Sequence, residues 1–449
     1  MPKLYKRILL LAAPMALQSI ITYSVGMADN LMVGSLGELA LSGVYVANQL
    51  QNILHMLVTG LGAALVILAS QYWGKKDTDN TRAIVTIALK FGLGAGLLFL
   101  GATLLFPMQI LGFFTNNPLV KLEALRYLSI IRFTYVFFAV TQILVASMRC
   151  VEQVRIGLVL SIITFFVNVG LNWILIFGNL GAPALGIRGA ALATLIARMV
   201  ETPIMIFYVR FVDSNLRLRF RHFRDSHREL VRDFFRFGFP VILGDIFWGI
   251  NLAVQGAILG RLGATALASV SIANNLFSMV AVSVYGTAAA SAVIVGQTVG
   301  AQQYDLLKSY TKQLQILFLL VGVCSGALLY LISDYILTFY NLTPETLVMA
   351  KQFLIVLSVM IVGTSYQMSV LTGIVRAGGS IYFVLINDLI FVWLVVIPSA
   401  YLAAFVFHAH PVIVFMCLKS DQILKCLVAV VKVNRFDWIQ NLTHETRQA

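Results

Sequence analysis

Charge is what this chain has least of. Only 11% of its 449 residues are Asp, Glu, Lys or Arg, against about 25% in soluble domains. That shortage excludes a water-soluble globular protein. Cysteine is also sparse. Cys150, Cys324, Cys417 and Cys426 show no metal-ligand spacing, and none falls in a predicted outer loop, so they read as reduced thiols. The six histidines, His55, His222, His227, His408, His410 and His444, are scattered, which argues against a metal centre. No P-loop is present, so ATP is not the expected energy source. Neither HExxH nor GxSxG occurs, and no catalytic motif replaces them. The chain is therefore not expected to be an enzyme or to need a cofactor. Asn441-Leu442-Thr443 fits a glycosylation acceptor, but the topology below puts it on the cytoplasmic side, where the match is chance.

What the chain has in abundance is apolar length. Its residues are 59% hydrophobic and its mean hydropathy is +0.89. Apolar stretches long enough to cross a bilayer as helices run near 8–32, 44–70, 84–109, 122–147, 156–178 and 188–211. A second set runs near 236–259, 270–295, 311–335, 346–372, 381–406 and 411–433. Lys419, Asp421 and Lys425 interrupt the last one. The expected fold is all-α and integral to the membrane, with 12 transmembrane helices in two six-helix bundles. The first run follows basic residues, as a signal peptide would. It is about 20 residues long and has no convincing cleavage site, so it reads as a retained helix.

The net charge of +13 would suit nucleic acid, but its placement argues otherwise. Lys3, Lys6, Arg7, Lys75, Lys76, Arg82, Arg149, Arg155, Arg376, Lys432 and Arg435 all fall on one side of the predicted spans. So does a basic run of Arg217, Arg219, Arg221, Arg224, Arg228 and Arg232. The other side holds little beyond Lys121, Arg126, Arg188 and Arg261. By the positive-inside rule both termini are cytoplasmic. The expected organisation is a first lobe over 1–211, a basic cytoplasmic linker over 212–235 that faces lipid headgroups, and a second lobe with its tail over 236–449.

Residues 14 to 74 reappear at 240 to 300 without a gap. At this constant offset of 226, 18 of the 61 aligned pairs are identical. Pro14 falls on Pro240, Gly34 on Gly260, Asn48 on Asn274, Gln71 on Gln297 and Gly74 on Gly300. Two homologous halves in one membrane chain point to a two-bundle transporter. The twin prolines each remove a helical hydrogen bond, and such interruptions in equivalent places mark the working region. Pro14 and Pro240 are the expected hinges. In the paired loops SQYWGKKD (70–77) and GQTVGAQQYD (296–305) the glycine suits a tight helix end, and the glutamine is expected to satisfy free carbonyls there. Asn48 and Asn274 read as packing residues.

Four acids fall inside predicted helices: Asp29, Glu201, Asp245 and Asp388. An ionised carboxylate at the bilayer centre costs roughly 2.5–3.5 kcal/mol even on a lenient scale. Each should face a cavity, find a partner or take up a proton. Asp29 lies about 22 Å along the helix from Pro14 and is the leading ion-coupling residue. Asn168 and Asn172, four apart, share one helix face. They could ligate a cation, hydrogen-bond Asp29, or serve as interhelical glue. Glu201 follows Arg198 by one turn and reads as an intrahelical ion pair. The offset sets Asp245 against Ser19 and Asp29 against Gln255, so the halves share a fold but not an ion site. Asp245, and Asp388 beside Asn387, are candidate substrate or proton residues of the second half.

Several pieces, in order and partly duplicated, resemble the multidrug and toxic compound extrusion (MATE) family. They are AAP (12–14), Asp29 before MVGSLG (32–37), SQYWG, GQTVG, IRGAALAT (187–194) and VRAGG (375–379). The resemblance implies twelve helices in two lobes around a cleft. It also implies export of organic cations and other amphipathic compounds in exchange for protons or sodium. Asp29 matches the family's helix 1 acid, Asn168 its helix 5 asparagine and Thr194 its helix 6 threonine. Asn172 stands where well-studied members carry aspartate, so an ion site here, including any Na⁺ near Asp29, has one negative charge fewer. Trp248 stands where some members hold a helix 7 glutamate, with Asp245 one turn earlier and Gln255 beyond. The implied cycle neutralises Asp29, shifts helix 1 about Pro14 and alternates access between the lobes. The expected location is the inner (plasma) membrane, multi-pass. Expected partners are small cationic or amphipathic molecules and the lipid bilayer, with no nucleic acid and no obligate protein partner. A flippase for lipid-linked saccharides would want a cationic cavity, yet apart from Lys90, Arg132 and Arg198 the helix-embedded charges are mostly acidic. An intramembrane enzyme using Asp245 and Asp388 lacks a second motif, and a channel lacks a pore-lining polar helix.

Overall fold

The computed structural model describes residues 2–223, 228–338 and 343–443. Arg224, His227 and His444 lie outside them. Within the described residues the chain is helical throughout, with one isolated β-bridge between Gly379 and Ile439. The helices are α1 Pro2–Gly34, α2 Glu38–Gly74, α3 Thr78–Leu105, α4 Pro107–Phe114, α5 Pro118–Ile131, α6 Thr134–Cys150, α7 Arg155–Phe177 and α8 Ile187–Phe207. They continue as α9 Arg228–Gly260, α10 Ala264–Gly300, α11 Tyr304–Leu337, α12 Pro344–Val370, α13 Ile381–Leu389, α14 Ile397–Tyr401, α15 Pro411–Lys419 and α16 Asp421–Arg435.

Among the described residues, ten spans are individually long and apolar enough to cross a bilayer. An eleventh is the pair α5 and α6, bent by 55°. α15 and α16, on either side of Ser420, fall where the twelfth span is expected, and charge interrupts the apolar run there. The twelve-helix expectation therefore holds, with one span bent and one broken. Large apolar side chains point outward along the spans. Leu98, Phe166, Leu331 and Leu394 are all more than 65% exposed, which suits lipid as the surrounding solvent.

Helix ends follow local chemistry. Asn117 and Thr343 cap α5 and α12 through their side chains, each with proline at the first helical position. Asp77 caps α3 by accepting from Asn80 N at 3.1 Å. α7 stops at Gly178, whose φ of 76° is left-handed and open to glycine at no steric cost.

The chain divides into two compact units. The first comprises Leu17–Ala69 and Asp77–Ile242, and the second Met1–Ala16, Ser70–Lys76 and Leu243–Ala449. The core of the second unit gathers Leu276, Leu329, Phe353, Ile361, Phe415 and Leu418. In the first unit the linker is anchored. Leu216 is fully buried, its carbonyl accepts from Arg82 Nε at 2.5 Å, and Asp213 accepts from Leu216 N at 2.8 Å.

The duplicated glycine loops meet inside the second unit. Gly74 lies against the backbone of Gln297, and Gly300 against the backbone of Gln71. A side chain at either glycine would occupy the other segment's main chain, so both positions demand glycine for close approach. Gln71 does not serve its own helix end as expected. The Gln71 side chain donates to Ala377 O at 3.3 Å and to Gln440 O at 3.4 Å, and accepts from Leu442 N at 2.8 Å. Gln297 accepts from Arg7 at 2.5 Å. The end of α2 is instead closed by its own backbone, Lys75 N to Gln71 O. Distant segments outcompete the local carbonyls. Trp438 completes this corner, fully buried against Gly378.

Candidate functional site

Four of the sequence-selected residues converge in the first unit. α1 carries Asp29, α7 carries Asn168 and Asn172, and α8 carries Thr194. α7 and α8 lie close because Gly189 has no side chain to collide with the main chain at Leu175. The asparagines share the inner face of α7 and are essentially fully buried.

The hydrogen bonds form a directed chain. Thr194 Oγ1 donates to Ala190 O at 3.1 Å and accepts from Asn168 Nδ2 at 3.2 Å. Asn168 Oδ1 accepts from Asn172 Nδ2 at 3.1 Å. The second hydrogen of Asn172 Nδ2 goes to Asp29 Oδ1. Every link is set by the one before it. Asn172 Oδ1 is left buried without a partner, which is uncommon for a buried acceptor. Tyr127 of α5 closes the site, its hydroxyl beside Asn48 of α2 and Thr194. Tyr127 was not anticipated, since a lone tyrosine in an apolar helix carries no mark of its own. Asn48 faces this site as well as packing.

One turn further along α8, Arg198 pairs with Glu201 at 2.6 Å, as the spacing predicts. The guanidinium also lies over the Phe138 ring at 5.3 Å.

The second unit is built differently. Asp388 of α13 is paired with Lys425 of α16 at 2.8 Å, and Lys425 also reaches Asp421 at 3.3 Å. Asp421 is 4% exposed and Asp388 43%, so of the two only Asp388 is placed to meet a ligand. Gln422 donates to Asp421 at 2.9 Å and accepts from Thr364 and Gln367. In sequence, Lys425 reads only as an interruption of an apolar run. Its role depends on α13, whose position the sequence does not reveal. Asp388 precedes a π-helical turn, Ile390–Val396, and a second such turn spans Leu371–Arg376; these wider turns cluster at functional sites. Asp245 sits within electrostatic reach of Arg376 and Asp388. Trp248 is half exposed. Gln255 bonds Asn251 and Lys419. Asp245, Trp248, Gln255 and Asp388 therefore do not form one cluster of hydrogen bonds as the first-unit residues do.

The prolines stand where the chain passes between units. α1 crosses after Ala16, two residues past Pro14, and α9 crosses after Ile242, two residues past Pro240. Each proline leaves the carbonyl four residues earlier, at Leu10 and Arg236, without its helical donor.

The MatE family matches residues 14–174 and 240–402. The probable multidrug resistance protein NorM of Thermotoga maritima is 24% identical over 405 residues, spanning 89% of this chain and 86% of that protein. The probable multidrug resistance protein YoeA of Bacillus subtilis is 25% identical, spanning 89% and 87%. Among solved structures, the Vibrio cholerae MATE transporter VcmN in its bent form superposes with a TM-score of 0.87 at 17% identity, covering 97% of both chains. A multidrug resistance MATE family transporter in its outward-facing conformation superposes with a TM-score of 0.87 at 18% identity, covering 96% of this chain and 95% of the other.

Proposed function

This chain belongs to the MatE family of membrane transporters, and we propose that it is a proton-coupled antiporter exporting amphipathic, mainly cationic compounds by alternating access between its two halves. The observation that carries the reading is the Asp29–Asn172–Asn168–Thr194 chain with its unpartnered Asn172 Oδ1. Ionised, Asp29 accepts a hydrogen from Asn172. Protonated, it has an O–H to donate, and Asn172 Oδ1 is the free acceptor beside it. Meeting that O–H requires the Asn172 amide to turn over. Turning it withdraws the donor from Asn168 and so passes the event to α7 and α8. One proton thereby exchanges one set of hydrogen bonds for another.

A proton suits this site better than sodium. A hard cation wants several oxygen ligands, and those of Asn168 and Thr194 are already engaged. With Asn172 in place of a second carboxylate, Asp29 supplies the only formal negative charge of the chain of residues. Because α1 passes between units two residues beyond Pro14, a change at Asp29 acts on the helix with the weakened joint. The membrane potential supplies about 2.3 kcal/mol per charge per 100 mV.

The test is ethidium transport in proteoliposomes of known orientation under an imposed proton or sodium gradient, wild type against Asp29→Asn. Movement driven by the proton gradient and lost in the variant is expected. Wild-type rates in Asp29→Asn would refute the coupling role, and movement under the sodium gradient alone would replace the ion.

A further inference from the structure

The second unit carries a groove of about 790 Å³ between α11, α12 and α16. Gly363 lies in its floor, where α12 meets the main chain of α16 at Gln422 with no room for a side chain. Ile316, Leu319, Val359, Ile423 and Leu427 line its walls, and each is more than 40% exposed. The groove therefore opens outward, toward lipid. Along α16 its lining runs from Ile423 to Asn434, about 16 Å of helix. One leaflet of a hydrocarbon core about 30 Å thick is about 15 Å deep, so the groove is one leaflet long.

Its polar side chains gather at one end. Tyr366 donates to Gln315 Oε1 at 2.7 Å, and Gln315 Nε2 donates to Asn434 Oδ1 at 3.3 Å. Asn434 Nδ2 donates to Val430 O at 2.8 Å. Both amide oxygens are thus occupied, and one hydrogen of Gln315 Nε2 is left over. Lys312 stands one turn before Gln315 on α11, exposed, in the lining of the same groove and without an ion pair among the described residues. An ammonium can only donate, so this end of the groove asks for an anionic acceptor. It is also the end where α16 finishes in Lys432 and Arg435, the side that the positive-inside pattern assigns to the cytoplasm. Anionic lipids are concentrated in the cytoplasmic leaflet, and basic pockets between membrane helices on that side hold their headgroups. An amphipathic cation would meet like charge at Lys312, so the groove does not suit the compounds proposed for export.

We propose that this groove is a specific site for an anionic phospholipid of the cytoplasmic leaflet. One acyl chain lies along Ile316, Leu319, Ile423 and Leu427. Lys312 supplies the charge for the headgroup phosphate, and Gln315 a hydrogen bond.

Native mass spectrometry of the purified full chain tests it, with phosphatidylglycerol and phosphatidylcholine of identical acyl chains as probes. Lys312→Gln is expected to weaken phosphatidylglycerol at least fivefold and phosphatidylcholine less than twofold. Lys312→Arg should hold phosphatidylglycerol within about twofold of wild type. Arg155→Gln removes an exposed charge from the first unit and should also stay within twofold. Leu427→Trp, which fills the groove, should weaken both lipids. Glycerol 3-phosphate in tenfold excess should displace neither, because it lacks the chain. Equal weakening by Lys312→Gln and Arg155→Gln would overturn the site in favour of diffuse attraction by surface charge. No effect of Lys312→Gln, or none of Leu427→Trp, would overturn it outright, and displacement by glycerol 3-phosphate would leave an ion site only. The transport reading stands in each case.

Discussion

Replacing Asn172 by leucine separates the structural from the coupling role of the first-unit site. The change keeps the number and branching of the side-chain heavy atoms and removes both donors. Asp29 loses a hydrogen bond to a charged group, worth about 1.5–3 kcal/mol. Asn168 Oδ1, 1% exposed within its residue, loses its only donor, at about 1–3 kcal/mol. Against this, the unpartnered Asn172 Oδ1 disappears, which returns about 1–3 kcal/mol. The net expectation is a loss of about 2 kcal/mol. Asp29→Asn keeps an acceptor for Asn172 and gives up only the charged character of the bond, about 1 kcal/mol. Thermal unfolding in detergent should therefore rank Asn172→Leu as the less stable protein. Gradient-driven ethidium transport should be abolished by Asp29→Asn, the more stable of the two. In the double variant the losses should fall short of their sum by about 1 kcal/mol, because the charged character that Asp29→Asn gives up belongs to a bond already absent in Asn172→Leu. Additive losses would mean that Asp29 and Asn172 are not partners. Transport retained in Asp29→Asn would mean that the partnership serves packing alone.

Three further expectations follow from the second unit and its contrasts. Gly74→Ala and Gly300→Ala force a methyl group into the opposing backbone and should each cost at least about 3 kcal/mol in stability or block folding, whereas Gly26→Ala meets nothing within 4 Å and should be neutral or stabilising by up to about 1 kcal/mol; melting temperatures of the purified variants check the contrast. Lys425→Met leaves Asp421 buried without its cation and should destabilise by about 3–5 kcal/mol, while the added change Asp421→Asn should recover much of that loss in the same melting assay. Trp438→Ala empties a fully buried site at about 3–5 kcal/mol and should free the tail, read as faster proteolysis within 436–443 with the helices intact.

Much of this protein is written in local sequence. The spans are legible because an apolar helix must satisfy its own backbone in lipid, and that requirement is met residue by residue. The duplication is legible as a constant offset. Asp29, Asn168 and Asn172 stand out because polar groups are costly among apolar neighbours, whatever surrounds them. The Arg198–Glu201 pair follows from the pitch of one helix. Tertiary structure alone decides what those groups do once distant segments meet. Lys425 reads as a flaw in a helix until α13 brings Asp388 to it. Gln71 reads as a cap of its own helix until the tail reaches it first. Tyr127 acquires a role only where α2, α5 and α8 converge. Lys419 orients Gln255, and through it Asn251, across 168 positions of sequence. Periodicity and desolvation act over one or two turns, so sequence reports them. Which donor finds which acceptor depends on the packing of helices far apart in the chain, and that is settled only by the fold.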